Sequence, residues 1–142
     1  MNSTHETNKR LIDKTMTMEQ VLSNMRKKKS RLLVRKGAEH IALKVEDIAC
    51  IYTENKIVIV VDDSGKKYLC DKNLSELQQD LDEELFFRAN RQNIINIHYV
   101  RGFKSFQRVK LMVDLKLENG GEYYITISQE TAPQFKRWIA GD

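Results

Sequence analysis

Residues 56–70, KIVIVVDDSGKKYLC, decide how the chain is read. Ile57-Val58-Ile59-Val60-Val61 is its most strongly β-branched run, and such side chains favour the pleated surface of a strand. Asp62-Asp63-Ser64-Gly65 supplies a hairpin turn, with Gly65 able to take positive φ. Lys67 to Cys70 then returns. The segment predicts a central strand and its antiparallel partner.

Working outward, the same period continues on both sides. RLLVRK (31–36) reads as a strand, Gly37 as a turn, and HIALKV (40–45) as the returning strand. Glu46-Asp47 leads into a third strand, IACIY (48–52), and Thr53-Glu54-Asn55-Lys56 is a polar loop before the central run. Downstream, Leu74, Leu77 and Leu81 share one face of a short amphipathic helix over Asn73–Leu81. Asn73 is placed to cap it, with Glu76 three residues on as the reciprocal partner. Phe86 and Phe87 re-enter the core. Arg91 to Ile97 fits a tight helical turn or a strand, and the short helix is the preferred reading. Tyr99–Phe103 and Val109–Leu117 read as strands, Asn119-Gly120-Gly121 as a hairpin turn and Glu122–Ile127 as the closing strand. Thr131–Ile139 reads as a C-terminal helix, with Pro133 near its start where a missing N–H costs little. The fold class is mainly β: antiparallel sheets with short helices.

Residues 1–30 stand apart. Residues 1–8 are polar and expected to fray. From Lys9 to Lys29, Leu11, Met18, Leu22 and Met25 fit one helical stripe, which predicts a linker helix or a face that docks on a partner. The expected division is a tail and linker over 1–30 and a single domain over 31–142.

Charge is separated into blocks. Leu85 to Val113 contains no Asp or Glu and carries Arg88, Arg91, Arg101, Lys104, Arg108 and Lys110, about +6 in a chain of net charge +4. Just before it, Asp71 to Glu84 sets Asp71, Glu76, Asp80, Asp82, Glu83 and Glu84 against Lys72 alone. Such segregation creates a directed field, and a basic face interleaved with Asn, Gln and aromatic residues suits a polyanion. A solvated surface that happens to be basic remains the alternative.

Other chemistries find little support. The chain has no phosphate-cradling glycine loop or dinucleotide fingerprint. His5, His40 and His98 lack metal spacing among themselves or with the cysteines. Cys50 and Cys70 read as buried, reduced thiols. No apolar run approaches the ~18 residues of a membrane span, and the N-terminus lacks the apolar core of a signal peptide. The expectation is a cytoplasmic protein that is not an enzyme and needs no cofactor or metal.

Phe87, Arg88, Arg91, Gln92, Ile94, Ile95 and Asn96 together resemble the signature of the LytTR family, DNA-binding output domains usually found in bacterial response regulators of two-component systems. Val45–Tyr52, Gly65–Tyr68, Leu74–Leu77, Ile127-Ser128 and Ala132–Lys136 resemble other family segments in the expected order, so the likeness covers about 31–139. Arg91-Gln92 and Ala132-Pro133 resemble the Bacteroidetes branch. The resemblance implies an elongated stack of antiparallel β-sheets whose edge loops enter successive major grooves of bent DNA. By position it implies three readers: the loop Thr53–Lys56, Arg91 with its neighbours, and Ser128-Gln129-Glu130. Many members carry Arg after the Ser. A carboxylate near phosphate is unfavourable, which leaves Gln129 to read a base there. The resemblance also implies paired direct repeats in promoters, a homodimer on DNA, and a receiver domain or sensor kinase as partner. No receiver precedes the domain in this sequence, which suggests a stand-alone regulator or an excised output domain.

The side-chain chemistry agrees. Arg91 can pair bidentately with guanine O6 and N7, and Asn55, Asn90 or Gln92 with adenine. Lys56, Arg88, Arg101, Lys104, Arg108 and Ser128 are cast as phosphate contacts. Arg88 has the alternative of an ion pair with the acidic segment, and Asn96 reads as a structural turn residue. The resulting expectation is a sequence-specific double-stranded DNA-binding transcriptional regulator. The alternative is a protein-interaction module acting through the N-terminal helix and the basic face.

Overall fold

The computed structural model describes residues 17–19, 28–108 and 110–141. The tail over 1–8 expected to fray, most of the linker helix read over 9–29, and Val109 lie outside the described residues. The rest forms ten strands and two helices. The strands are β1 (Arg31–Lys36), β2 (Glu39–Lys44), β3 (Ile48–Glu54), β4 (Ile57–Asp62), β5 (Lys67–Cys70), β6 (Phe86–Asn90), β7 (Asn93–Asn96), β8 (Val100–Phe106), β9 (Lys110–Lys116) and β10 (Glu122–Ile127). The helices are α1 (Leu74–Asp80) and α2 (Ala132–Ala140).

Seven strands make one antiparallel sheet in the order β2-β1-β5-β4-β3-β7-β6, and β10-β9-β8 make a second. The β-branched run at 57–61 is β4, in the middle of the large sheet. Alternation along a strand sends Val58 and Val60 to one face and Ile59 and Val61 to the other. Each face meets its own core. Val58, Val60, Leu32, Val34 and Ile94 pack with Leu74, Leu77 and Leu81 of the α1 region. Val61, Cys50 and Ile95 pack with Val113, Leu115 and Ile127 of the small sheet and Phe135 of α2. A strand covered on both faces needs no polar alternation, which is why 57–61 is apolar throughout.

The α1 cap forms as the sequence predicts. Glu76 N donates to Asn73 Oδ1 at 2.8 Å, and Asn73 N donates to Glu76 Oε1 at 3.2 Å. Phe86 enters the first core, and Phe87 stacks on Trp138 with ring centroids 5.0 Å apart.

The helical reading of 91–97 is corrected. Asn93–Asn96 is strand β7, inserted between β3 and β6 with Cys50 opposite Ile95 and Phe87 opposite Ile95. Four residues carry too little period to separate strand from helix. The decision is made by pairing with β3, which is some forty residues away, and by burial of Ile94 and Ile95 in opposite cores. Only Ile97–Tyr99 is helical, as one 3-10 turn. Asn96 is fully buried; its Nδ2 donates to Ile48 O at 2.8 Å and its Oδ1 accepts from His98 N at 2.9 Å.

Candidate nucleic-acid interface

Strand direction places three turns at one end of the molecule. The β3–β4 turn is Asn55-Lys56, with φ of +51° and +66°, the left-handed geometry that twists a two-residue hairpin correctly and that Asn tolerates. The β6–β7 turn is Arg91-Gln92. Because β7 pairs with β3, Tyr52 stands opposite Asn93 and the two turns lie side by side. Thr53 N donates to Gln92 O at 3.0 Å and joins them.

The third segment comes from the small sheet. Asn90 Nδ2 donates to Thr126 O at 2.8 Å, tying the β6–β7 turn to the end of β10 just before Ser128-Gln129-Glu130. Asn90 Oδ1 also accepts from Gln92 N at 2.8 Å and from Asn93 Nδ2 at 3.0 Å. Ser128 shapes the entry to α2: its carbonyl accepts from Ala132 N at 2.9 Å and its Oγ from Thr131 N at 3.3 Å. The β8–β9 hairpin reaches the same end, since Ile127 pairs with Leu111 beside it. Gln107 and Arg108 form its tip, with φ of +50° and +66°.

The side chains at this rim divide by what already holds them. Arg91 is exposed, and its guanidinium makes no hydrogen bond or ion pair among the described residues. Asn55, Lys56, Gln92, Arg108 and Gln129 are likewise exposed, whereas Lys104, also exposed, lies along β8 in a groove with Arg101, Gly102 and Asp114. Asn90 is engaged on both amide atoms, so it shapes the turn before it could read a base. Arg88 is half-buried and faces inward: Nε donates to Asn90 O and Nη2 to Arg91 O, each at 2.8 Å, and Nη1 to Gln78 Oε1 at 3.2 Å. Burial pulls its pKa down from the usual arginine value. The six acids of the neighbouring segment are not its partners.

Arg101 lies at the start of β8, the end away from the hairpin. It ion-pairs with the carboxylate of Asp114, to which Nε donates at 2.7 Å, and that hydrogen bond raises its pKa. Arg101 is therefore not brought to the rim with the others. Lys110, which sequence reasoning counted as basic but did not assign, does come to it. It lines a shallow groove with Asn90, Arg91, Gln92, Thr126 and Ser128. Its position after a hairpin within the acid-free window was the available signal.

Charge follows the geometry. Lys56, Arg91, Arg108 and Lys110 gather at the rim, together with Glu54 and Glu130. Asp62, Asp63 and Glu118 lie at the opposite end, where Glu118 N donates to Asp63 O at 3.1 Å and Asn119 Nδ2 to Ser64 O at 2.6 Å. Exposed guanidinium and amide groups beside ammonium groups can hydrogen-bond base edges and neutralise phosphates.

A family model described as the LytTr DNA-binding domain matches residues 38–140. β1 lies outside that match, yet it pairs with β2 along its whole length and with β5. Among solved structures, a similar one is the LytTr DNA-binding domain of a protein described as a methyl-accepting/DNA response regulator from Bacillus cereus. Its TM-score is 0.68 at 17% identity, over 78% of this chain and 97% of that one, a likeness of fold. No curated protein matches the chain at a significant level.

Proposed function

The chain belongs to the LytTr DNA-binding domain family, and from that premise we propose that it is a sequence-specific transcriptional regulator of double-stranded DNA, acting in the bacterial cytoplasm as the output of a two-component system. The observation that carries this reading is the rim itself. Three segments from distant parts of the sequence are hydrogen-bonded into one edge, and Arg91 stands exposed upon it, its guanidinium unpaired among the described residues. In this reading Arg91, Asn55, Gln92 and Gln129 meet base edges in successive major grooves, and Lys56, Lys104, Arg108, Lys110 and Ser128 meet phosphates. Deformation of the duplex lets turns on one rim reach consecutive grooves.

The DNA-binding unit extends over 31–142, supported by the pairing of β1 within the large sheet. Residues 1–30 serve as tail and linker, and two copies occupy paired direct repeats. Arg91-Gln92 and Ala132-Pro133 alone support placement in a Bacteroidetes-like branch.

Selection of bound duplexes from a random pool, followed by titration at several salt concentrations, tests the proposal. Neutralising about four phosphates per copy, with Lys56, Lys104, Arg108 and Lys110, gives a slope of log affinity against log salt of roughly −3.6. A chain that enriches no sequence and shows a flat salt response is not such a regulator.

A further inference from the structure

We infer that Arg88 is the positioning residue of the Arg91 turn, held to α1 through Gln78, and not one of the phosphate contacts. The inference rests on the DNA-binding reading above. Arg88 sits on β6 three residues before Arg91, next to the bulge between Arg88 and Asn90. Its guanidinium holds both carbonyls that lead into the turn, Asn90 O and Arg91 O, at 2.8 Å each. A guanidinium is a rigid planar fork of five N–H donors, so engaging two consecutive carbonyls fixes the peptide planes on either side of the Arg91 Cα. The Arg91 side chain springs from that Cα.

The third bond extends the support. Arg88 Nη1 donates to Gln78 Oε1 on α1, and α1 is a fixed base: it is capped at Asn73 and buries Leu74 and Leu77. On its other side the turn is tied by Asn90 to Thr126. Base reading requires a side chain held to within about 0.5 Å of its productive geometry, and a two-residue turn does not supply that alone. Three of the five Arg88 donors point into the protein, which leaves a poor site for a phosphate.

Charge and fork geometry can be separated by substitution. Arg88→Lys keeps the charge but loses the fork, Arg88→Gln loses both, and Gln78→Ala removes the α1 anchor without changing charge. Binding of the full chain to its selected duplex and to a scrambled duplex is measured across salt. The expected result is that Arg88→Lys lowers the ratio of specific to scrambled affinity about tenfold or more, within the range of one base contact, and leaves the salt slope unchanged. Gln78→Ala lowers the ratio in the same direction by less. In an Arg91→Ala background, Arg88→Lys changes the ratio little further, because the residue it positions is gone. The inference is overturned if Arg88→Lys binds as wild type while Arg88→Gln weakens both duplexes alike and reduces the slope by ~0.9, the signature of one phosphate contact. If Arg88 variants fold poorly, Gln78→Ala decides: an unchanged ratio overturns the inference. A wild-type chain without duplex preference overturns the DNA-binding reading instead, so the two failures are distinct.

Discussion

Thr53 and Gln92 are joined across the rim: the Thr53 amide donates to the Gln92 carbonyl at 3.0 Å. The β3–β4 and β6–β7 turns are therefore one unit, and Asn55 is presented at a fixed distance from Arg91. Asn55 has φ of +51°, a conformation that glycine adopts freely. Asn55→Gly is expected to keep the thermal midpoint within a few degrees while losing about 1–3 kcal/mol of discrimination at the bases it reads. Asn55→Val is expected to destabilise the fold by about 1–2 kcal/mol, because a β-branched residue is strained there. Melting curves with duplex titrations check both; an Asn55→Gly chain with full discrimination removes Asn55 from the base readers.

The proposed phosphate contacts are tested by salt. Lys104→Ala and Lys110→Ala should each reduce the salt slope by ~0.9 and weaken selected and random duplexes alike. Arg101→Ala should leave the slope unchanged, since the charge of Arg101 is already paired with the carboxylate of Asp114. A loss of slope on removing Arg101 would mean that the pair opens on DNA.

Asp62, at the end opposite the rim, contributes to the acid sensitivity of the fold. Asp62 is buried, and burial by itself raises a carboxyl pKa. Here the hydrogen bonds from Tyr68 OH at 2.7 Å, Ser64 Oγ at 2.8 Å, and Ser64 N and Lys66 N at 2.9 Å outweigh it and lower the pKa. A depressed folded pKa gives stability that is whole above the unfolded value, near ~3.9, and is lost as pH falls through the folded value. Urea unfolding below about pH 4 should show a decline that Asp62→Asn flattens, at a cost of about 1–3 kcal/mol at neutral pH. The Tyr68 hydroxyl, pushed up to about 12 by burial and then by Asp62, adds stability that is whole below ~10 and fades as pH rises toward 12. An acid limb identical in Asp62→Asn and wild type would assign the sensitivity elsewhere.

Asn96 separates structure from recognition within one signature. Asn96→Leu removes the bonds to Ile48 O and His98 N in a fully buried site. The expected cost is about 2–3 kcal/mol, read by chemical denaturation. The ratio of specific to random affinity should hold at temperatures where the variant is folded, and a changed ratio there would give Asn96 a part in recognition.

Much of the architecture was legible because the residues that make it are local. The β-branched run at 57–61, the turns at Gly65 and Gly120, and the reciprocal pair Asn73 and Glu76 each need only their neighbours. Strand β7 was not legible, because Asn93–Asn96 is short and its identity comes from β3 and β6. The rim was legible as residue types, and Arg91 was found by charge and by family likeness. Its assembly was not legible: Thr53 with Gln92, and Asn90 with Thr126, meet only through sheet order. The inward turn of Arg88 and the pairing of Arg101 with Asp114 were hidden for the same reason. A sequence lists cations without showing which ones the protein itself already holds.

The most direct measurement compares wild type and Arg91→Ala on a selected duplex and on its scrambled counterpart, at two salt concentrations. Arg91→Ala should weaken the selected duplex by about 5- to 150-fold, the worth of one bidentate base contact, while binding to the scrambled duplex stays within about twofold. Equal weakening on both duplexes would contradict the account, since Arg91 would then be one more charge on the surface.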